Sequence, residues 1–223
     1  MMGKNFDIIQ IGAHVGNTIN DRKLLGLYNE KSNCIFIEPV KRFYDLLVNN
    51  HNKTYINNNF TFLNIACSNY IGELGLYEPD LATFSDESLP EYLKHGYPQW
   101  LDQLTSVHPH HIKTHGLNIK TKLINVQCTT LSEIVKKYEV KELNYLFVDT
   151  EGHDFEVING LNFDILKPKN IIFEHSHMEG SCKVVGEKYN SLLSKLYGYG
   201  YIKTHMDDMD THLKLKNNEN NEN

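Results

Sequence analysis

Long apolar runs are missing from this sequence. Nowhere do about 18 apolar residues follow one another, so no membrane-spanning helix is predicted. Residues 1–7 lack the basic stretch and apolar core of a secretory signal, and the cytoplasm is the expected location. Positive charge is also scarce. With 22 Lys and Arg against 28 Asp and Glu, the formal charge is -6, and neither nucleic acid nor an anionic membrane surface is an expected partner. Cysteine is sparse too: Cys34, Cys67, Cys128 and Cys182 are widely spaced and form no CxxC pair, which excludes a zinc knuckle or a dithiol redox centre. Most of these thiols sit in apolar strand-like runs, where a reduced thiol packs as a small hydrophobe. No internal repeat occurs.

What is present is ordinary globular usage. The 223 residues are 40% hydrophobic and 22% charged, enough to bury a full core, and one domain over residues 1–216 is expected. Residues 217–223 are Asn and Glu only and are predicted to be disordered.

The first half alternates strand and helix patterns. Strands are predicted at 6–11, 34–37 and 60–67, with helices at 18–28 and 40–48 between them; on the second helix Val40, Phe43, Tyr44, Leu47 and Val48 share one face. Alternation resumes with a strand at 123–127, a helix at 130–138, an apolar strand at 145–148, a helix at 153–161 and a strand at 170–173. A helix at 184–196 and strands at 199–205 and 211–215 follow. Crossovers of this kind return the strands parallel. The expected fold is therefore a doubly wound, mostly parallel seven-stranded α/β sheet with helices on both faces and ligands at the carboxyl ends of the strands.

Gly72 and Gly75 bracket an antiparallel excursion to Leu76 and Tyr77, and the pattern is then lost over 78–121, a stretch rich in Pro, His, Tyr and Ser. Irregular insertions of this length in compact domains are usually functional. It is read as a lid or acceptor-binding segment with short helices at 87–94 and 99–107, against surface decoration as the plain alternative. His108, His110, His111 and His115 lie in it. With 12 histidines in the chain and a proline between the first two of that group, a solvated loop is the preferred reading.

Gly12-Ala13-His14-Val15-Gly16 follows the first strand, where small residues let a ligand approach the backbone and the next helix's amino end. The middle glycine of a dinucleotide-binding turn is replaced by His14, which argues against a pyrophosphate. Glu38 ends the second strand, where a carboxylate accepts hydrogen bonds from both hydroxyls of a ribose. Glycine turns and strand-end glutamates are each common. Their joint occurrence on successive strands points to an adenosine-bearing cofactor.

Four blocks carry a more specific resemblance: residues 7–16 (DIIQIGAHVG), 36–43 (FIEPVKRF), 126–135 (VQCTTLSEIV) and 146–161 (LFVDTEGHDFEVINGL). Together they resemble the ordered blocks of the FkbM family of methyltransferases over nearly the whole chain, the D-x-E-G block being the most distinctive. The resemblance implies a class I, Rossmann-like methyltransferase fold, S-adenosylmethionine as donor, and transfer to oxygen, often a sugar hydroxyl of a glycan or glycosylated small molecule. It also implies that Gly12, Ala13 and Gly16, with His14 and Asn17 beside them, line the methionine half of the cofactor. Glu38 would then hold the ribose, and Ala66, Cys67 and Ser68 would lie beside the adenine. Gln10 stands where the family usually has an acidic residue, and His14 where it has asparagine. Through its side-chain carbonyl Gln10 still accepts a hydrogen bond from the methionine amino group.

Methyl transfer from a sulfonium is an in-line displacement in which the protein aligns the nucleophile and accepts its proton. Asp149-Thr150-Glu151-Gly152-His153-Asp154 ends the central strand beside the expected methyl position. Asp149 is the first choice for general base, Glu151 orients the acceptor or assists, and His175, in Glu174-His175-Ser176-His177, reaches the acceptor from the next strand. The plain alternative has Asp149 binding the cofactor's amino group and Asp154 favouring its helix's positive end. A divalent metal bridging Asp149, Glu151 and the 174–177 segment would acidify a hydroxyl, but the spacing is not a recognised metal signature and no metal is assigned. Two other functions compete: a catalytically degenerate module that binds a nucleoside or partner, suggested by Gln10 and His14, and a nicotinamide-dependent oxidoreductase, for which no catalytic Tyr/Lys pair is found.

Overall fold

The structure, a computed structural model, describes residues 3–16, 26–55, 59–80 and 100–216. The helix expected at 18–28 falls largely outside the described residues, as do Asn17, the helix expected at 87–94 and the 217–223 tail.

The main sheet starts with β1 (Lys4–Ile11) and β2 (Cys34–Ile37), followed by α1 (Lys41–Thr54) and β3 (Phe60–Leu63). All four residues of β2 are buried, as expected of a parallel strand covered on both faces. Sequence reading placed one strand over 60–67. The chain breaks at Asn64 instead, whose side-chain amide donates to the carbonyls of Glu38 and Pro39, each at 2.9 Å. Ala66–Cys67 becomes β4 of a separate sheet.

That second sheet has three strands in the order β4-β6-β5, where β5 is Gly72–Pro79 and β6 is Thr121–Thr129. Its β5 and β6 run antiparallel from Gly72↔Cys128 to Pro79↔Thr121, so the excursion after Gly72 is present and continues past Tyr77 to Pro79, and β6 is not a main-sheet strand. Between them, the predicted helix at 99–107 is reduced to one 3₁₀ turn, Leu101–Gln103, followed by the short α2 (His111–Thr114). This segment is not mere decoration: Leu101, Leu104, Ile112, Leu117 and Ile119 bury a small core of their own.

Chain continues through α3 (Leu131–Lys137), β7 (Val140–Val148), α4 (Asp154–Asn159), β8 (Asn170–Glu174), α5 (Glu187–Gly198), β9 (Tyr201–Met206) and β10 (Asp210–Leu215). α3 begins where its sequence says it should: the Thr130 hydroxyl accepts from the Glu133 amide at 3.2 Å, and Lys136 and Lys137 sit at the negative end. The seven-stranded sheet has the order β3-β2-β1-β7-β8-β10-β9. β3 to β8 are parallel, and β10 alone runs against its neighbours β8 and β9. The predicted doubly wound, mostly parallel sheet is therefore the fold. One face packs Ile9, Ile11 and Val148 against α3, α4 and α5; the other packs Ile8, Phe36 and Phe147 against Leu47 of α1. All four cysteines are free, and burial pushes the Cys34 thiol up to about 12. Among the described residues no helix is long and apolar enough to cross a membrane.

Candidate functional site

Parallel register brings the carboxyl ends of β1, β2 and β7 level, with Gln10 beside Phe36 on one side and Phe147 on the other. A cleft opens above these ends, enclosing about 790 Å³ when its open mouth is counted. Gln10, Gly12, His14 and Glu38 border it on the β1–β2 side, and Asp149, Thr150 and Glu151 on the β7 side. Ala66 and Cys67 close one end, and Asp102, Gln103, Thr105 and Val107 of the insertion form a further wall.

The turn after β1 is shaped by its neighbours. Gly12 has φ +77°, and a methyl group there would stand 1.7 Å from the Asp149 carbonyl oxygen; Gly16 has φ +72°, and a methyl there would meet the His51 ring at 2.3 Å. Both glycines are thus required by protein packing, Gly12 against the end of β7 and Gly16 against α1, whereas sequence reading assigned them to ligand approach. Ala13 is buried in the core with Ile8 and Phe36. Neither Ala13 nor Gly16 borders the cleft; Gly12 and His14 do.

Glu38 is 5% exposed. Its carboxylate accepts from the His14 amide at 2.9 Å and the Val40 amide at 2.8 Å, which ties the glycine turn to the end of β2. His14 has φ 44°, and its ring packs on Phe43 at 4.1 Å between centroids. Burial, then the Arg42 cation, holds its pKa down to about 4, so the ring is neutral. Both of its ring nitrogens and Oδ1 of Asp102, 3.8 Å from Nε2, are buried without hydrogen-bond partners. They are polar atoms at the cleft for a ligand to satisfy. Ser68, expected beside an adenine, turns away: its hydroxyl meets His153 Nε2 at 3.0 Å and does not border the cleft.

On the other side, Asp149 follows β7 with its amide bonded to the Ile11 carbonyl at 3.0 Å. Glu151 has φ 52°. Its Oε2 lies 2.8 Å from His111 Nε2 and 3.3 Å from His177 Nδ1. Burial would raise its pKa, but the two imidazoles outweigh burial and hold it down to about 2. For His177, burial works downward and the carboxylates of Glu151 and Glu174 raise it to about 11. Asp154 is fully buried; burial, then the Glu174 charge, pushes it up to about 8 while its Oδ2 accepts from the Thr150 hydroxyl at 2.8 Å. Burial and the Glu151 charge likewise raise Glu174.

Two expectations are corrected here. His175 does not reach the cleft: it is buried against the Tyr189 ring, with Nδ1 3.1 Å from the Thr211 hydroxyl, because β8 ends at Glu174 and its side chain falls on the α5 side. His177 faces Glu151 in its stead. The histidine-rich stretch is not a solvated loop either. His111 is buried, its ring lies 4.9 Å from that of His115 and 4.7 Å from that of His177, and only His110 of the group is exposed. The signal available in the sequence was the i, i+4 spacing of His111 and His115, one helical turn apart.

The arrangement is thus a cleft over parallel strand ends, with a glycine turn and a buried carboxylate on one side and an accessible carboxylate on the other, suited to holding a nucleoside-bearing donor against a nucleophile. The chain matches the methyltransferase FkbM domain over residues 10–203. No curated protein sequence matches it. Among solved structures it is similar to the methyltransferase FkbM from Methylobacillus flagellatus KT, at 11% identity and a TM-score of 0.47, with 97% of this chain and 44% of that one covered. The chain therefore spans less than half of that structure's length. It is also similar to an O-methyltransferase from Bacillus cereus, crystallised in complex with SAH, at 11% identity and a TM-score of 0.44 over 94% of this chain and 73% of that one. With the family domain matched from the end of β1 to β9, the chain belongs to the FkbM methyltransferase family.

Proposed function

We propose that this chain transfers a methyl group from S-adenosylmethionine to a hydroxyl oxygen, with a sugar hydroxyl of a glycan or glycosylated small molecule as acceptor and Asp149 as general base. The observation that carries the reading is the position of Asp149: it borders the same cleft as Gln10, Gly12 and Glu38 and follows the central strand β7 directly. The donor supplies an electrophilic methyl carbon. As the acceptor oxygen bonds to that carbon, the carbon–sulfur bond breaks, sulfur keeps the electron pair, and the hydroxyl proton passes to the Asp149 carboxylate.

The cleft's own polar atoms fit the donor. Glu38 accepts from the His14 and Val40 amides, and a strand-end carboxylate of this kind is suited to accept from ribose hydroxyls as well. Gln10 offers its amide oxygen to the donor's amino group, and the unpartnered nitrogens of His14 add further polar contacts. Glu151 is a poor second base, because its Oε2 is already engaged by His111 and faces His177, and its part is to hold the wall of the cleft.

Asp149→Asn separates binding from chemistry. Turnover to S-adenosylhomocysteine, measured against a panel of free glycosides and nucleotide-sugars, is expected to fall by roughly 100-fold or more with donor affinity nearly unchanged. Glu38→Ala is expected to do the reverse, weakening donor binding by about 1.5 to 3 kcal/mol in calorimetry. Weaker donor binding by Asp149→Asn with an intact rate at saturation would make Asp149 a donor ligand. Donor binding without turnover on any hydroxyl acceptor would leave a nucleoside-binding module.

A further inference from the structure

We infer that His111, His115, His177 and Glu151 form a binding site for one divalent transition-metal ion of the zinc class, which ties the insertion to the end of the central strands beside the cleft. The inference does not depend on the identity of the methyl acceptor.

Geometry carries it. One ligating atom from each of these four residues lies within 4.8 Å of all the others. A zinc ion about 2.1 Å from tetrahedral nitrogen and oxygen ligands separates them by roughly 3.4 Å. Glu151 Oε2 stands 2.8 Å from His111 Nε2 and 3.3 Å from His177 Nδ1, close to that edge. The ligands come from three places in the chain: α2 and its end, the turn after β7, and the turn after β8. His111 and His115 have the one-turn spacing by which one helical turn offers two imidazoles to a single ion.

Unsatisfied atoms point the same way. His177 is 3% exposed, yet Nδ1 makes a hydrogen bond of proper geometry with neither neighbouring carboxylate, and Nε2 of His115 is buried without a partner. Buried polar atoms in a folded protein rarely go unpaired, and two imidazole nitrogens left over at one point call for a common ligand. Charge agrees as well. The carboxylates of Asp149, Glu151 and Glu174 converge within 4.8 Å, a grouping that favours a cation beside these imidazoles. Imidazole-rich ligation with one carboxylate suits zinc, iron, nickel or copper over magnesium or calcium, which prefer oxygen.

Four protein ligands close the coordination sphere, so the ion's role is structural: it fastens the insertion wall in place as a cross-link between segments distant in sequence.

The full chain is purified, stripped with dipicolinate, and titrated with cobalt(II) and then zinc. Expected are one ion per chain, the visible absorption of four-coordinate cobalt, its loss on zinc addition, and a higher melting temperature for the metal-loaded protein. His115→Ala is expected to weaken binding by more than the roughly 10- to 100-fold that loss of an outer partner produces, whereas His110→Ala, an exposed neighbour, leaves it unchanged. Should His115→Ala fail to fold, the cobalt spectrum of the wild-type chain decides alone. The inference is overturned if the stripped wild-type chain takes up neither ion at tens of micromolar, if cobalt gives only a six-coordinate spectrum, or if a folded His115→Ala binds as tightly as wild type.

Discussion

On the β1–β2 side of the cleft the Glu38 carboxylate is held by backbone, accepting from the amides of His14 and Val40 in the turns that follow β1 and β2. On the β7–β8 side the partners arrive from far along the chain. Glu151 meets His111 across 40 residues, and its backbone carbonyl accepts from the Ser106 hydroxyl at 2.6 Å across 45. The first side is a turn braced by backbone at the level ends of two adjacent parallel strands. The second is a set of ionisable side chains whose positions depend on how the insertion folds back. A substitution on the first side should therefore act through close packing, and one on the second by unfastening the insertion.

Gly12→Ala tests this contrast most severely. With φ +77° and the Asp149 carbonyl 1.7 Å from a new methyl group, the end of β1 must part from the end of β7, and a loss of more than about 3 kcal/mol in urea unfolding is expected. A stability change under 1 kcal/mol would mean that the two strand ends are not packed as described. The clash involves backbone on both sides, so side-chain rearrangement cannot relieve it.

A middle-sized effect is expected where the two sides touch, at His14. Folding lowers its pKa from 6.5 to about 4, so the native ring resists protonation. The neutral ring's stability is fully present above pH 6.5 and is lost as pH falls toward 4, because the unfolded chain binds the proton first. By pH 5 the loss amounts to about 2 kcal/mol. His14→Asn keeps a residue that tolerates positive φ and removes the titration. Between pH 7.5 and pH 5 the wild type should lose about 2 kcal/mol more than the variant in urea unfolding; equal losses would assign the acid sensitivity elsewhere.

Ser106→Ala is expected to be the mildest. Its hydroxyl donates to the Glu151 carbonyl and accepts from the His108 amide at 3.1 Å, so removal should cost about 1 to 2 kcal/mol. Amide exchange should then quicken over residues 100–117 and stay unchanged in β1 and β2. Faster exchange in β1 would erase the distinction between the two sides.

Much of the fold was open to sequence reading because it rests on local pattern. The continuous apolar run of β2, the Thr130 cap with Glu133 three residues on, and the glycine turn after β1 announce themselves within a few residues. The break at Asn64 was hidden, since residues 60–67 read as one apolar run and only the carbonyls of Glu38 and Pro39, brought alongside in space, end the strand. His175 and His177 could not be told apart either. Both follow β8, and their opposite directions are set by contacts with Tyr189 and with Glu151.

The strands of the β1–β2 side, the Gly12 turn and the place of Glu38 and Asp149 at strand ends were determined by sequence alone, because periodicity and turn chemistry act over neighbouring residues. Tertiary structure alone decided what the glycines pack against, which histidine faces Glu151, and that His111 and His115 join it in one buried cluster. The glycine contacts depend on how β7 and α1 pack against the end of β1, and the histidine cluster on the path of the insertion. A side chain's partners, and with them its charge, are fixed by that path and not by the residues next to it in sequence.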